Sequence, residues 1–188
     1  MSVLIVWIIA AIIGFAILRL SGRKGRIKDP RLGFLDLTNG AAGTLIEEDK
    51  AALRDLFTSL EESKYAVPQC DVLFLYATIG DGGVLEGTDL YLRATIRDSG
   101  AKVVVVASEN HNRKPAGKPV YGHANLVITL ARNGSSFPRF FRELFDQMKK
   151  GKPMPLAWVK LAPQIPNFEH PDTPSTIFLC EVGGVSFK

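Results

Sequence analysis

Three side chains able to carry protons follow one another through the middle of the chain: Asp81, Glu109 and His111. A histidine with two carboxylates within reach is a sufficient set for general acid–base catalysis, as a hydrolase or transferase would need. Asp81 sits in Gly80-Asp81-Gly82-Gly83, a turn able to hold a ribose hydroxyl or a cation. His111 sits in a polar run from Ser108 to Lys114, and the basic residues after it could close over an anion or stay hydrated.

A second group has the composition of a phosphate cradle: Asp36, Thr38, Asn39, Gly40, Gly43 and Thr44. Glycines admit close backbone approach, hydroxyls donate hydrogen bonds, and a helix start adds partial positive charge. The same composition suits an ordinary strand-to-helix turn capped by Thr44. Gly82, Asn133, Ser135 and Ser136 complete the candidate ligand-binding set, and these two serines also suit a helix start. No Walker A, GxGxxG or GxSxG motif is present. Cys70 and Cys180 have no metal-like spacing, and neither is placed to act as a nucleophile at a strand end. The sequence names no cofactor.

These residues follow strand-like runs that alternate with helical patterns. Residues 32–37 and 71–79 read as strands, the second apolar on both faces as a central parallel strand should be. Lys102–Ser108 and Asn125–Ala131 are further strands, and 176–182 a last one. Thr44-Leu-Ile-Glu47 reads as a capping box opening a helix to about Lys64, with Leu53, Leu56, Phe57 and Leu60 on one face. A helix from about Thr88 ends at Gly100, another starts at Ser136-Phe-Pro138, and 156–161 adds a short turn of helix. Strands alternating with helices predict a three-layer α/β fold, Rossmann-like and of flavodoxin-like order, with about five mainly parallel strands. The loops at the strands' carboxyl ends should then converge on one ligand edge.

The strand–helix order over about the last 120 residues, with its late helix and closing Ile177-Phe-Leu-Cys-Glu-Val182 strand, is similar to that of caspase-like α/β domains. Their His-Gly and catalytic-Cys motifs are absent, so the resemblance carries no activity across.

Val3 to Leu18 is an unbroken apolar run followed by Arg19, Arg23, Lys24, Arg26 and Lys28. Sixteen residues cover about 24 Å of a hydrocarbon core near 30 Å, so Ser2, Leu20 and a snorkelling Arg19 must extend the span. With no basic residues before it and no small-residue cleavage site behind it, the run reads as an uncleaved anchor. The basic collar predicts a single-pass protein of the cell (inner) membrane, with residues 1–20 in the bilayer, 21–31 as linker and 32–188 as a cytoplasmic domain. Residues 1–31 hold six of the 23 Lys and Arg against one acid, which leaves 17 bases and 18 acids for the rest. Such a near-neutral domain argues against nucleic acid as a partner. The partners expected are the lipid bilayer and a nucleotide or other anionic small molecule. A sensory or regulatory binding domain is the leading expectation, ahead of a hydrolase or transferase and of a non-catalytic scaffold.

Overall fold

A computed structural model describes residues 25–110, 123–132, 134–161 and 175–188. Its centre is a six-stranded sheet in the order β3-β2-β4-β5-β6-β7, with β2 at Arg31–Asp36, β3 at Ser59–Ser63, β4 at Val72–Tyr76, β5 at Val103–Val106, β6 at Asn125–Ala131 and β7 at Ser175–Leu179. The first five run parallel, while β7 pairs antiparallel with β6. A separate two-stranded parallel ladder joins β1 (Gly25–Ile27) to β8 (Val185–Phe187). Residues 25–27, part of the expected linker, are therefore paired strand.

Both faces of the sheet are covered, as its continuous apolar strands require. On one face, Phe34, Phe74 and Val105 pack beneath α1 (Gly43–Leu53), α3 (Ser136–Lys149) and α4 (Met154–Leu161). On the other, Leu35, Leu75 and Val104 meet Leu92 and Ile96 of α2 (Leu92–Ser99). Phe74 touches Phe34, Phe141 and Phe145 at ring-centroid separations of 5.5, 5.5 and 6.2 Å, so α3 is held to the centre of the sheet by an aromatic cluster. The stripe expected on α3 is fully buried at Phe141, Leu144, Phe145 and Met148.

Several boundaries differ from expectation. The sheet has six strands rather than five among the described residues, because residues 59–63, expected within a helix, form β3 along β2. That helix stops at Leu53, a single 3-10 turn follows over Arg54–Leu56, and the chain is extended again at Phe57. The start is also displaced: α1 begins at Gly43, its N-cap is Ala42, and no side chain caps it, so Thr44-Leu-Ile-Glu47 is not a capping box. α2 begins at Leu92, since Thr88 to Tyr91 is held by turns and by a bridge between Val84 and Tyr91, and it ends as expected on a left-handed Gly100. Among the described residues no helix is long and apolar enough to cross a membrane, and the 3–18 run lies outside them.

Candidate functional site

The turn that follows β2 is built by its own side chains. Asp36 Oδ1 accepts hydrogen bonds from the Thr38 amide at 2.9 Å and the Thr38 hydroxyl at 2.6 Å. Thr38 Oγ1 in turn accepts the Ala42 amide at 2.9 Å. Thr38, not Thr44, thus satisfies a backbone donor at the α1 start. Asn39 and Gly40 turn the chain with φ of 54° and 88°, a region in which asparagine and glycine are the tolerant residues. Asp36 is buried, and its Oδ2 has no hydrogen-bond partner among the described residues.

This turn forms one wall of a cleft of about 980 Å³ at the carboxyl edge of the sheet. Thr38, Ala41 and Ala42 line that wall, and Leu45, Glu48, Ala51 and Ala52 continue it along α1. Ser108 and Glu109 enter from the end of β5, and Arg132, Gly134, Ser135 and Pro138 from the end of β6 and the start of α3. The lining joins small and apolar residues to the hydroxyls of Thr38, Ser108 and Ser135 and the carboxylates of Glu48 and Glu109. That composition suits a small organic molecule held by a few directed hydrogen bonds.

A buried charged network underlies the cleft. Arg132 grips Asp49 through both guanidinium ends, Nη2 to Oδ1 at 2.9 Å and Nη1 to Oδ2 at 3.1 Å, and Nη1 also donates to the Ala107 carbonyl. The Tyr76 hydroxyl donates to Asp49 Oδ2 at 2.6 Å. Phe137 lies under the guanidinium, 3.8 Å from its carbon to the ring centroid. Burial pushes the Asp49 carboxyl above its ordinary range, while Arg132 and then Tyr76 pull it back. Burial, then the Asp49 charge, raises the Tyr76 phenol, so this hydroxyl stays protonated and serves as a donor.

The candidate residues divide among different places. Thr38, Glu109 and Ser135 line the cleft, and Asp36 braces its wall. Asn39, Gly40, Gly43 and Thr44 belong to the same turn and helix start but are not among the lining residues. Ser136 is buried, and its hydroxyl donates to the Arg132 carbonyl at 3.4 Å. Asp81 and Gly82 form a separate 3-10 turn, and Gly82 borders a smaller hollow of about 310 Å³ with Tyr91 and Arg93. The loops therefore share one edge without sharing one cleft. His111 and Asn133 lie outside the described residues.

Within the proton-carrying trio, Glu109 has one carboxylate oxygen engaged, since its Oε1 accepts the Arg132 amide at 2.9 Å. Its neighbour Asn110 ties strand ends together: Oδ1 accepts the Ile79 amide at 2.7 Å and Nδ2 donates to the Ser108 and Ala77 carbonyls. Among the described residues no group of three His, Cys, Asp or Glu could hold a metal ion. Sequence reasoning missed Glu48, Asp49, Tyr76 and Arg132 as site residues. The legible signal was Asp49 itself, a charge on the helix face that also carries Ile46 and Leu53.

No protein-family model matches the chain, and neither a curated protein nor a solved structure is significantly similar to it.

Proposed function

We propose that this chain is a membrane-tethered binding domain whose ligand is a small molecule with an apolar body and hydrogen-bond donors. The parallel strands follow the flavodoxin-like order, with the switch point between β2 and β4, and ligands of such sheets sit beyond the strands' carboxyl ends. The α1–α3 cleft opens on that edge and begins at the turn leaving β2. The observation that carries the reading is its composition: alanines, Leu45 and Pro138 form the body, and Glu48 and Glu109 offer acceptors.

The charge balance selects the ligand class. Arg132 is already neutralised by Asp49, so Glu48 and Glu109 leave the cleft with negative character. A neutral or cationic molecule suits it better than a polyphosphate. A nucleotide or other anionic ligand remains the second reading, favoured by the α1 start, whose Ala42 and Leu45 border the cleft. Catalysis by Asp81, Glu109 and His111 is not favoured, since Asp81 stands outside the cleft and Glu109 is engaged by Arg132.

Thermal-shift screening of the full chain against neutral heterocycles, amines, nucleotides and flavins tests this directly, because a ligand of the native state raises the melting temperature. The expected hits are neutral or cationic, and Glu48→Gln with Glu109→Gln weakens them about tenfold, the effect of losing about 1.4 kcal/mol of binding. Nucleotide hits strengthened by the same substitutions would establish the second reading instead. A screen without any stabilising compound would sink both.

A further inference from the structure

We infer that the amino-terminal edge of the sheet, with the outer face of α4, is a docking surface for an anionic lipid bilayer; the inference rests on reading residues 3–18 as a membrane anchor. Leu156 and Val159, 62% and 63% exposed, are the two exposed large aliphatic side chains among the described residues. They stand one helical step apart on α4, opposite the buried Met154, Ala157 and Trp158. Along the chain on either side of them the charge is of one sign. Residues 147–168 contain Lys149, Lys150, Lys152 and Lys160 and no acid.

The position of this face follows from its contacts. Pro153 meets the backbone of Gly184, and Met154 lies against Asn125, the first residue of β6. Phe187 of β8 packs on Phe57, just before β3 begins. The start of α4 and the β1–β8 ladder therefore share the sheet's amino edge, and Gly25 opens that ladder opposite Val185. Only four residues separate Leu20, the end of the expected span, from Gly25, a reach of at most about 18 Å. An anchor ending at Leu20 would hold this edge next to the headgroups. Exposed Arg26 and Lys188 add to the lysines there.

Acids also border this edge: Asp146 pairs with Lys150 at 2.5 Å, Asp55 with Arg142 at 2.7 Å and Asp71 with Arg31 at 3.4 Å, and Asp29 and Glu181 lie beside them. Lys160 lies beside the two aliphatic side chains on α4, with Lys149, Lys150 and Lys152 at the end of α3 and just after it, and exposed aliphatic side chains with lysines beside them suit an anionic interface. The arrangement turns the candidate cleft, at the opposite edge, away from the membrane.

The test uses the full chain in lipid nanodiscs, with an environment-sensitive label at Leu156→Cys or Tyr65→Cys in a Cys180→Ser background. Tyr65 follows β3 at the carboxyl edge and is 93% exposed. Lipid-borne quenchers should quench the label at 156 severalfold more than the label at 65 in discs containing phosphatidylglycerol. The difference should shrink in pure phosphatidylcholine and at high salt. Equal quenching at the two positions, in a chain that resists alkaline extraction, overturns the docking surface and leaves the anchor standing. A chain removed by alkaline extraction and equally quenched at both positions overturns both.

Discussion

Asp49 and Arg132 show how a residue can matter by what it withholds. A guanidinium at the rim of a cleft would ordinarily recruit anions, but this one is held in a two-point grip by a fully buried carboxylate. Removing one partner leaves the other charge buried and unpaired, at a cost of about 3–5 kcal/mol. Asp49→Asn should therefore lower the denaturant midpoint sharply, whereas Asp49→Leu combined with Arg132→Met should return much of the loss. An Asp49→Asn protein as stable as the parent would show that the pair contributes nothing. A second residue-scale consequence concerns Cys70, whose thiol burial pushes up to about 12, with the Asp71 charge adding to the effect. The folded state then holds this proton more tightly than the unfolded chain, whose thiol loses it near pH 9. Stability from this group is intact below pH 9 and falls as pH rises toward 12. Cys70→Ala should flatten the alkaline loss of stability by up to one proton in that window, measured by denaturant titration at stepped pH.

The elements are locked by close approaches that only particular residues permit. A Cβ on Gly33, in the middle of β2, would lie 2.7 Å from Cys70 Sγ and 2.9 Å from Pro68 Cγ. Gly33→Ala should cost about 1–3 kcal/mol, as overpacking does. Adding Cys70→Ala should recover part of it, since one obstacle goes and Pro68 stays; strictly additive losses in the double-mutant cycle would refute the steric account. Much of this layer was legible in the sequence. The all-valine β5, the exact span of β6 and the start of α3 emerge from apolar runs and a proline in a first helical turn. β3 did not, because Ser59–Ser63 pairs only with β2 and lies mostly exposed, so it carries neither an apolar run nor clean alternation. β1 was hidden for another reason: three residues inside a basic collar have no period to read, and their pairing is fixed by β8 far along the chain. At the site, Thr38, Glu109 and Ser135 were visible as strand-end residues. Glu48 and Arg132 acquire their place only through the packing of α1 against α3.

Across the whole molecule, the two edges of the sheet differ in kind. The amino edge gathers lysines, the chain ladder and exposed aliphatic side chains, while the carboxyl edge carries the cleft with its glutamates. The pI of 9.1 thus conceals a polar arrangement: excess base near the expected bilayer, and a near-neutral body beyond it. The ladder that opens this body has a further consequence for folding. Gly25 meets Val185 across about 160 positions, whereas β2 meets β4 across about 40 and β5 meets β6 across about 22. Closing so long a loop costs more chain entropy than any other strand pairing here, and three residues on each side return little hydrogen bonding for it. The loop-closure argument predicts that this joint sets after the main sheet, with Val185 and Phe187 then buried in the main core. Its late closure makes the first described strand of the chain the last to be fixed in place.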